Sequence, residues 1–171
     1  MRFELGQQLR GLGFRIATGV LFGYWFFFTL KLGYDPNFWG LHGEVFHNAP
    51  VVLYFMLATQ GFVAFVIVPV FMASPLLKDL QHRAAEWLYA CPVSARGLFW
   101  GRFWAAFLAL AVSVAMGSLG IVFAPHAAAG LGLVAAERVV RLPLAALLSA
   151  WCVLLLPSVF VGASLVYFRR G

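Results

Sequence analysis

The sequence predicts an all-α integral membrane protein: a polytopic helix bundle of about four transmembrane helices, with an N-terminal interfacial helix and a further short helix in its second connecting loop. Three observations predict it. The 171 residues are 63% hydrophobic and only 11% charged, with a mean hydropathy of +0.91, whereas a soluble domain carries about 25% charged residues. The apolar residues gather into four runs, each near the length needed to cross about 30 Å of hydrocarbon. The twelve lysines and arginines sit beside those runs rather than in one patch, where topology and anionic headgroups explain them. The formal charge of +6 therefore points to membrane lipid and not to nucleic acid.

Residues 1–15, MRFELGQQLRGLGFR, place Leu5, Leu9 and Leu12 on one helical face, which predicts a short helix along the membrane surface. The start is basic, as in a signal peptide, but no small-residue cleavage site follows the apolar run; the reading is a retained anchor. The first span is 16–32, short but sufficient if Arg15 and Lys31 snorkel. Gly19 and Gly23 form a GxxxG pair, either a face for close helix approach or the ordinary glycine of membrane helices. Residues 33–50 form the first exterior connection, rich in Gly, Pro and aromatics. His42, Glu44 and His47 lie within it, but their spacing fits neither a HExxH helix nor a zinc-finger pattern. No metal or cofactor is expected.

The second span, 51–73, has no charged residue and contains Pro69, where a kink is expected. The third, 103–123, carries Ala105, Ala109, Ala115 and Gly120, small residues that suit tight helix contacts. A second exterior connection covers 124–141, and the fourth span, 142–168, is interrupted by Pro157. With the N-terminus inside, nine basic residues (Arg2, Arg10, Arg15, Lys78, Arg83, Arg96, Arg102, Arg169, Arg170) face the cytoplasm and three (Lys31, Arg138, Arg141) face outward. The asymmetry predicts that both termini are cytoplasmic. Cys91 and Cys152 lie in different segments without CxxC spacing, so neither a disulfide framework nor a thiolate metal site is expected.

This orientation puts the connection 74–102 in the cytoplasm, and it is the densest cluster of charge in the chain. Read at about 100° per residue, it separates Leu77, Leu80, Ala84, Trp87, Leu88 and Cys91 from Lys78, Asp79, His82, Arg83 and Glu86. Ser74 and Pro75 suit the start of a new helix, and Pro92 ends it. Ser94 can cap the next helix, with Arg96 and Arg102 flanking Gly97 and Gly101. The pairs Asp79–Arg83 and His82–Glu86 are spaced to stiffen a helix by a few tenths of a kcal/mol each. On the residues alone this is either a stabilised surface helix or a docking element for a cytoplasmic partner. The sequence holds no GxxxxGK[ST] phosphate loop, no GxSxG elbow and no charged residue well inside a span. Catalysis within the chain is not expected.

From Asp79 through Glu86 to Pro92-Val93-Ser94 and Gly101-Arg102, the loop resembles the cytoplasmic loop of ABC-2 type transporter permeases. In that family an Asp is followed seven residues later by Glu, then a Pro-Val-Ser-like turn, then Gly-Lys or Gly-Arg opening the next span. The family often has an acidic residue two after the Asp and a glycine four after it; this chain has Gln81 and Arg83. The layout over about residues 1–125 also resembles these permeases, most closely the branch fused to a zinc aminopeptidase domain, on Phe46-His47-Asn48-Ala49-Pro50 and Gly101-Arg102-Phe103. The resemblance implies a non-catalytic permease subunit of an ABC transporter in a bacterial inner membrane. A separate ABC ATPase subunit is implied as its partner, with a second permease chain or a homodimer to complete a pathway. Leu80 to Cys91 are implied as a coupling helix, with Asp79, Arg83, Glu86 and Trp87 at the contact and Pro92, Gly101 and Arg102 at the turn into the third span. Family permeases usually have about six spans, which implies a truncated form or one piece of a split permease here. Two rivals stand beside this reading: a small membrane scaffold recruiting a cytoplasmic protein through 78–102, and a hydrolase or haem protein using His42 and His47.

Overall fold

Apolar side chains recur on every face of the long runs, so helices form that bury one stripe and leave the rest to lipid. The computed structural model describes residues 9–34, 49–81, 95–135 and 143–168, together with Gly6, Glu137, Val139 and Arg141. Within them every regular element is helical: α1 Leu12–Tyr34, α2 Pro50–Gln81, α3 Ala95–Gly130 and α4 Leu144–Phe168. All four contain a stretch long and apolar enough to cross a membrane, and exposed Ile16, Phe27, Phe62, Val66, Val153 and Leu165 give them an apolar outer surface. The chain is an all-helical membrane protein. Gly6, Leu9 and Arg10 are helical and Gly11 separates them from α1; most of the expected interfacial helix lies outside the described residues.

Helix α3 is the hub. Its apolar stretch is 61% buried, against 17% for α1 and for α4, because α1, α2 and α4 all pack on it. Helices α1 and α3 run parallel, as do α2 and α4. The core joins Leu53, Met56, Leu57 and Val68 of α2 to Phe103, Leu110 and Val114 of α3 and to Leu155, Val159 and Ala163 of α4. Helix α1 contributes Trp25 to it.

The helices are longer than the sequence pattern predicts. No new helix starts at Ser74: α2 continues from Pro50 through Ser74 and Pro75 to Gln81. Pro69 and Pro75 each remove one backbone donor, which releases the Phe65 and Phe71 carbonyls without breaking the rod. Helix α3 likewise runs past the expected end at Phe123 to Gly130, with Pro125 inside it. Residues 124–130 are therefore helix, where an irregular connection was expected. At about 1.5 Å per residue, α2 and α3 are roughly 48 and 54 Å long and overhang a 30 Å hydrocarbon layer.

Helix α3 stops because Gly132 takes a positive φ of 69°. Leu133 N–H then reaches the Ala128 carbonyl at 2.9 Å and Gly132 N–H the Ala129 carbonyl at 3.1 Å, the paired bonds of a Schellman cap. A Cβ at Gly132 would meet no atom within 4 Å, so only the backbone conformation resists substitution. Gly132→Ala is expected to cost about 1–2 kcal/mol, read as a lower thermal midpoint in detergent, whereas Gly130→Ala leaves the midpoint unchanged or raised.

In α4, Pro157 has no N–H for the Val153 carbonyl, and the turn just before it widens to a π-helix over Trp151–Leu155. Leu156 N–H reaches back to the Trp151 carbonyl, and Ser158 Oγ donates to the Leu154 carbonyl at 2.6 Å. The interruption expected at Pro157 is thus a single wide turn within a continuous span.

Candidate functional site

Two regions are candidates for a functional role: the connection between α2 and α3, and a polar cluster buried among all four spans. Of the loop residues singled out by sequence, Asp79 and Leu80 lie on the last turn of α2. Gly101 and Arg102 lie on α3, both half-buried. Arg83, Glu86, Trp87 and Pro92 lie outside the described residues, as do His42, Glu44 and His47. Helix α3 begins at Ala95, the position after the predicted cap Ser94.

The start of α3, just beyond the loop, is fixed to the end of α4. The Phe99 and Tyr167 rings lie 4.7 Å apart and Phe103 and Tyr167 5.3 Å apart. Tyr167 Oη donates to the Phe99 carbonyl at 3.1 Å. Trp100 and Phe168 close the group at 6.0 Å. Aromatic pairs at these spacings add about 0.5–1.5 kcal/mol each beyond the area they bury. The α3 side of the loop is anchored.

The polar cluster centres on Gln60, the only amide side chain in the second apolar run and 2% exposed. Its Nε2 donates to the Val114 carbonyl of α3 at 2.7 Å, and its Oε1 accepts from Ser118 Oγ at 2.9 Å. Ser118 Oγ also lies 3.2 Å from the Val114 carbonyl and accepts from Trp151 Nε1 of α4 at 2.9 Å. The π-turn thus begins at the residue that joins α4 to the cluster. Trp25 of α1 completes the ring of helices: a Cβ at Gly117 would stand 2.6 Å from Gln60 Nε2 and 3.0 Å from Trp25 Cδ1. Glycine at 117 is what lets these two side chains meet α3.

Further polar pairs tie the spans together at other levels. Thr18 Oγ1 and Ser113 Oγ lie 2.9 Å apart between α1 and α3. Tyr54 Oη and Ser149 Oγ lie 2.6 Å apart between α2 and α4. Ser149 uses its own proton on the Ala146 carbonyl, so Tyr54 is the donor. Such bonds between membrane helices contribute about 0.6–2 kcal/mol each. They specify which helix faces meet, since lipid offers an unpaired hydroxyl or amide no partner.

A close helix approach is also set by a glycine. A Cβ at Gly120 would stand 2.6 Å from the Phe22 carbonyl oxygen and 3.0 Å from Phe26 N, so α1 lies directly against α3 there. Gly19 and Gly23, the GxxxG pair, meet nothing within 4 Å; no other described part of the chain approaches that face. Of the small residues expected to make contacts on α3, Ala105, Ala109 and Gly120 are buried and Ala115 is half-buried.

Sequence reading missed Gln60, Ser118, Trp151 and Trp25. The available signal was a lone glutamine midway along an otherwise apolar run, a costly placement unless neighbours supply partners. The space between Leu21, Trp25, Gln60, Ala64, Ile67 and Val114 has no room for a water molecule. The arrangement offers hydrogen bonding across a dry helix seam. The chain matches no family model, no curated protein and no solved structure.

Proposed function

We propose that this chain is the membrane-spanning, non-catalytic subunit of an ABC transporter, set in a bacterial inner membrane with both termini in the cytoplasm. A partner ABC ATPase docks on the 74–102 segment, which comprises the end of α2, the connection and the start of α3, and a second permease chain or a second copy completes the substrate pathway. The loop resemblance, Asp79 to Glu86 to Pro92-Val93-Ser94 to Gly101-Arg102, supports this reading. The observation that carries it is the unbroken α2, Pro50–Gln81, which joins the motif to the centre of the bundle. Asp79 and Gln60 lie on one rod, about 28 Å apart along its axis at 1.5 Å per residue. A push at the loop displaces the rod as a unit, and its Gln60 end bears on α3 through Val114 and Ser118. The α3 side of the loop is clamped to α4 by Phe99, Phe103 and Tyr167. Motion of the ATPase is therefore delivered to one helix while the other side of the loop stays fixed.

The test is recovery of partners from native cells with the detergent-solubilised chain, with and without Trp87→Asp. The expected result is an ABC ATPase that copurifies with the wild-type chain and is lost from the variant, both chains remaining folded and membrane-inserted. Folded wild-type protein that recovers no ATPase overturns the reading. If a different cytoplasmic protein is then bound through the same loop, the chain is a scaffold.

A further inference from the structure

Two buried donors on α1 have no partner among the described residues. Trp25 and Thr29 are 1% and 8% exposed, lie one turn apart on the same face, and leave Nε1 and Oγ1 unpaired. No water fits in the seam beside Trp25, so solvent does not satisfy its indole N–H. Across that seam stands the Gln60 carboxamide, and both side chains converge on the bare Cα of Gly117. Nε1 is the ring atom bonded to Cδ1, the atom that meets Gly117.

The geometry points to a two-position hydrogen-bond switch in which Gln60 Oε1 exchanges between Ser118 of α3 and Trp25 of α1. The Ser118 hydroxyl has one proton and two acceptors within reach, Gln60 Oε1 at 2.9 Å and the Val114 carbonyl at 3.2 Å. In the observed arrangement Ser118 donates to Gln60, Gln60 to Val114 and Trp151 to Ser118, and the Trp25 N–H is left over. In the second arrangement Ser118 turns its proton to Val114, Trp25 donates to Gln60 Oε1, and Trp151 still donates to Ser118. Each arrangement contains three side-chain bonds. Two N–H donors are unpaired in each arrangement, the Trp25 N–H and one of Gln60 in the first and both of Gln60 in the second, so the number of hydrogen bonds favours neither. The bare Cα of Gly117 lets the Gln60 carboxamide, through Nε2, and Trp25 Cδ1 crowd together there, and the exchange turns the carboxamide so that Oε1 in place of Nε2 faces Trp25. In the second arrangement α1, which otherwise packs on α3, is tied to α2. The exchange requires nothing beyond this chain; that it would pass movement of α2 on to α1 rests on the permease reading.

The experiment is NMR of the full chain in lipid nanodiscs with its six tryptophans labelled at the indole nitrogen. Trp25→Phe and Trp151→Phe assign the two resonances that matter. The expected result is microsecond–millisecond exchange at the Trp25 N–H, with an excursion toward the hydrogen-bonded shift. Gln60→Leu abolishes the exchange and leaves Trp25 at one unbonded shift. Ser118→Ala removes the competing donor and moves Trp25 to the bonded shift. The other indole resonances report that each variant is folded. A Trp25 resonance that is the same in wild type and in either folded variant overturns the switch, because Gln60 Oε1 would then never reach it. Loss of ATPase binding alone would count against the permease reading and leave this result untouched.

Discussion

Gly120→Ala is expected to destabilise the bundle by about 1–3 kcal/mol, the cost of forcing atoms into a closed contact. The added methyl would stand 2.6 Å from the Phe22 carbonyl oxygen and 3.0 Å from Phe26 N. Both are backbone atoms of one helical turn, so neither can rotate away as a side-chain tip would; α1 must move off α3. The neighbouring bond between Thr18 and Ser113 is loosened by the same displacement. Gly19→Ala and Gly23→Ala are the controls. Each adds a methyl in open space and is expected to be neutral or stabilising by up to about 1 kcal/mol. Thermal unfolding in a single detergent, followed by tryptophan fluorescence, distinguishes the two cases. If Gly19→Ala proves as damaging as Gly120→Ala, the α1–α3 contact is on the wrong face.

Phe103→Ala carries the other large effect, about 3–5 kcal/mol, as for a large buried aromatic ring deleted from a packed core. Phe103 is 1% exposed and touches rings on both sides of the α3–α4 seam. Trp100, Trp104, Phe160 and Tyr167 meet it edge-on and Phe107 stacks on it at 6.3 Å. Lipid tails are as apolar as phenylalanine, so the loss is one of close packing rather than of escape from water. Phe27→Ala, at a position 67% exposed, removes the same ring from a lipid-facing site and is expected to change the midpoint little. Protease digestion at the C-terminus adds a second readout, since the Phe103 variant frees the end of α4 first. Equal stability of the two variants would mean that the aromatic seam does not hold α4.

The number and approximate positions of the spans were legible because they depend on length and apolarity alone. A run of some twenty apolar residues has to satisfy its own backbone in lipid, and a helix does so without reference to neighbours. Helix ends were less legible. Ser74 and Pro75 read as the start of a new helix and Phe123 as the end of the third span, yet α2 and α3 pass through both points, because one lost hydrogen bond at a proline does not by itself end a membrane helix. The wide turn at Trp151–Leu155 was visible only as the proline that follows it.

What the sequence by itself determined is therefore the membrane class, the four apolar helices and the motif of the 74–102 loop, all set by composition and local order. Only the tertiary structure decided which glycines matter and which polar groups meet. Gly19 and Gly23 have the better motif, but Gly117 and Gly120 make the contacts, since spacing within one helix cannot say which of its faces another helix will use. Gln60, Ser118 and Trp151 lie on three different helices and up to 91 residues apart. No local pattern links them. They are brought together because each is costly to leave unpaired in a dry interior, and the packing of α2, α3 and α4 is the arrangement in which they satisfy one another.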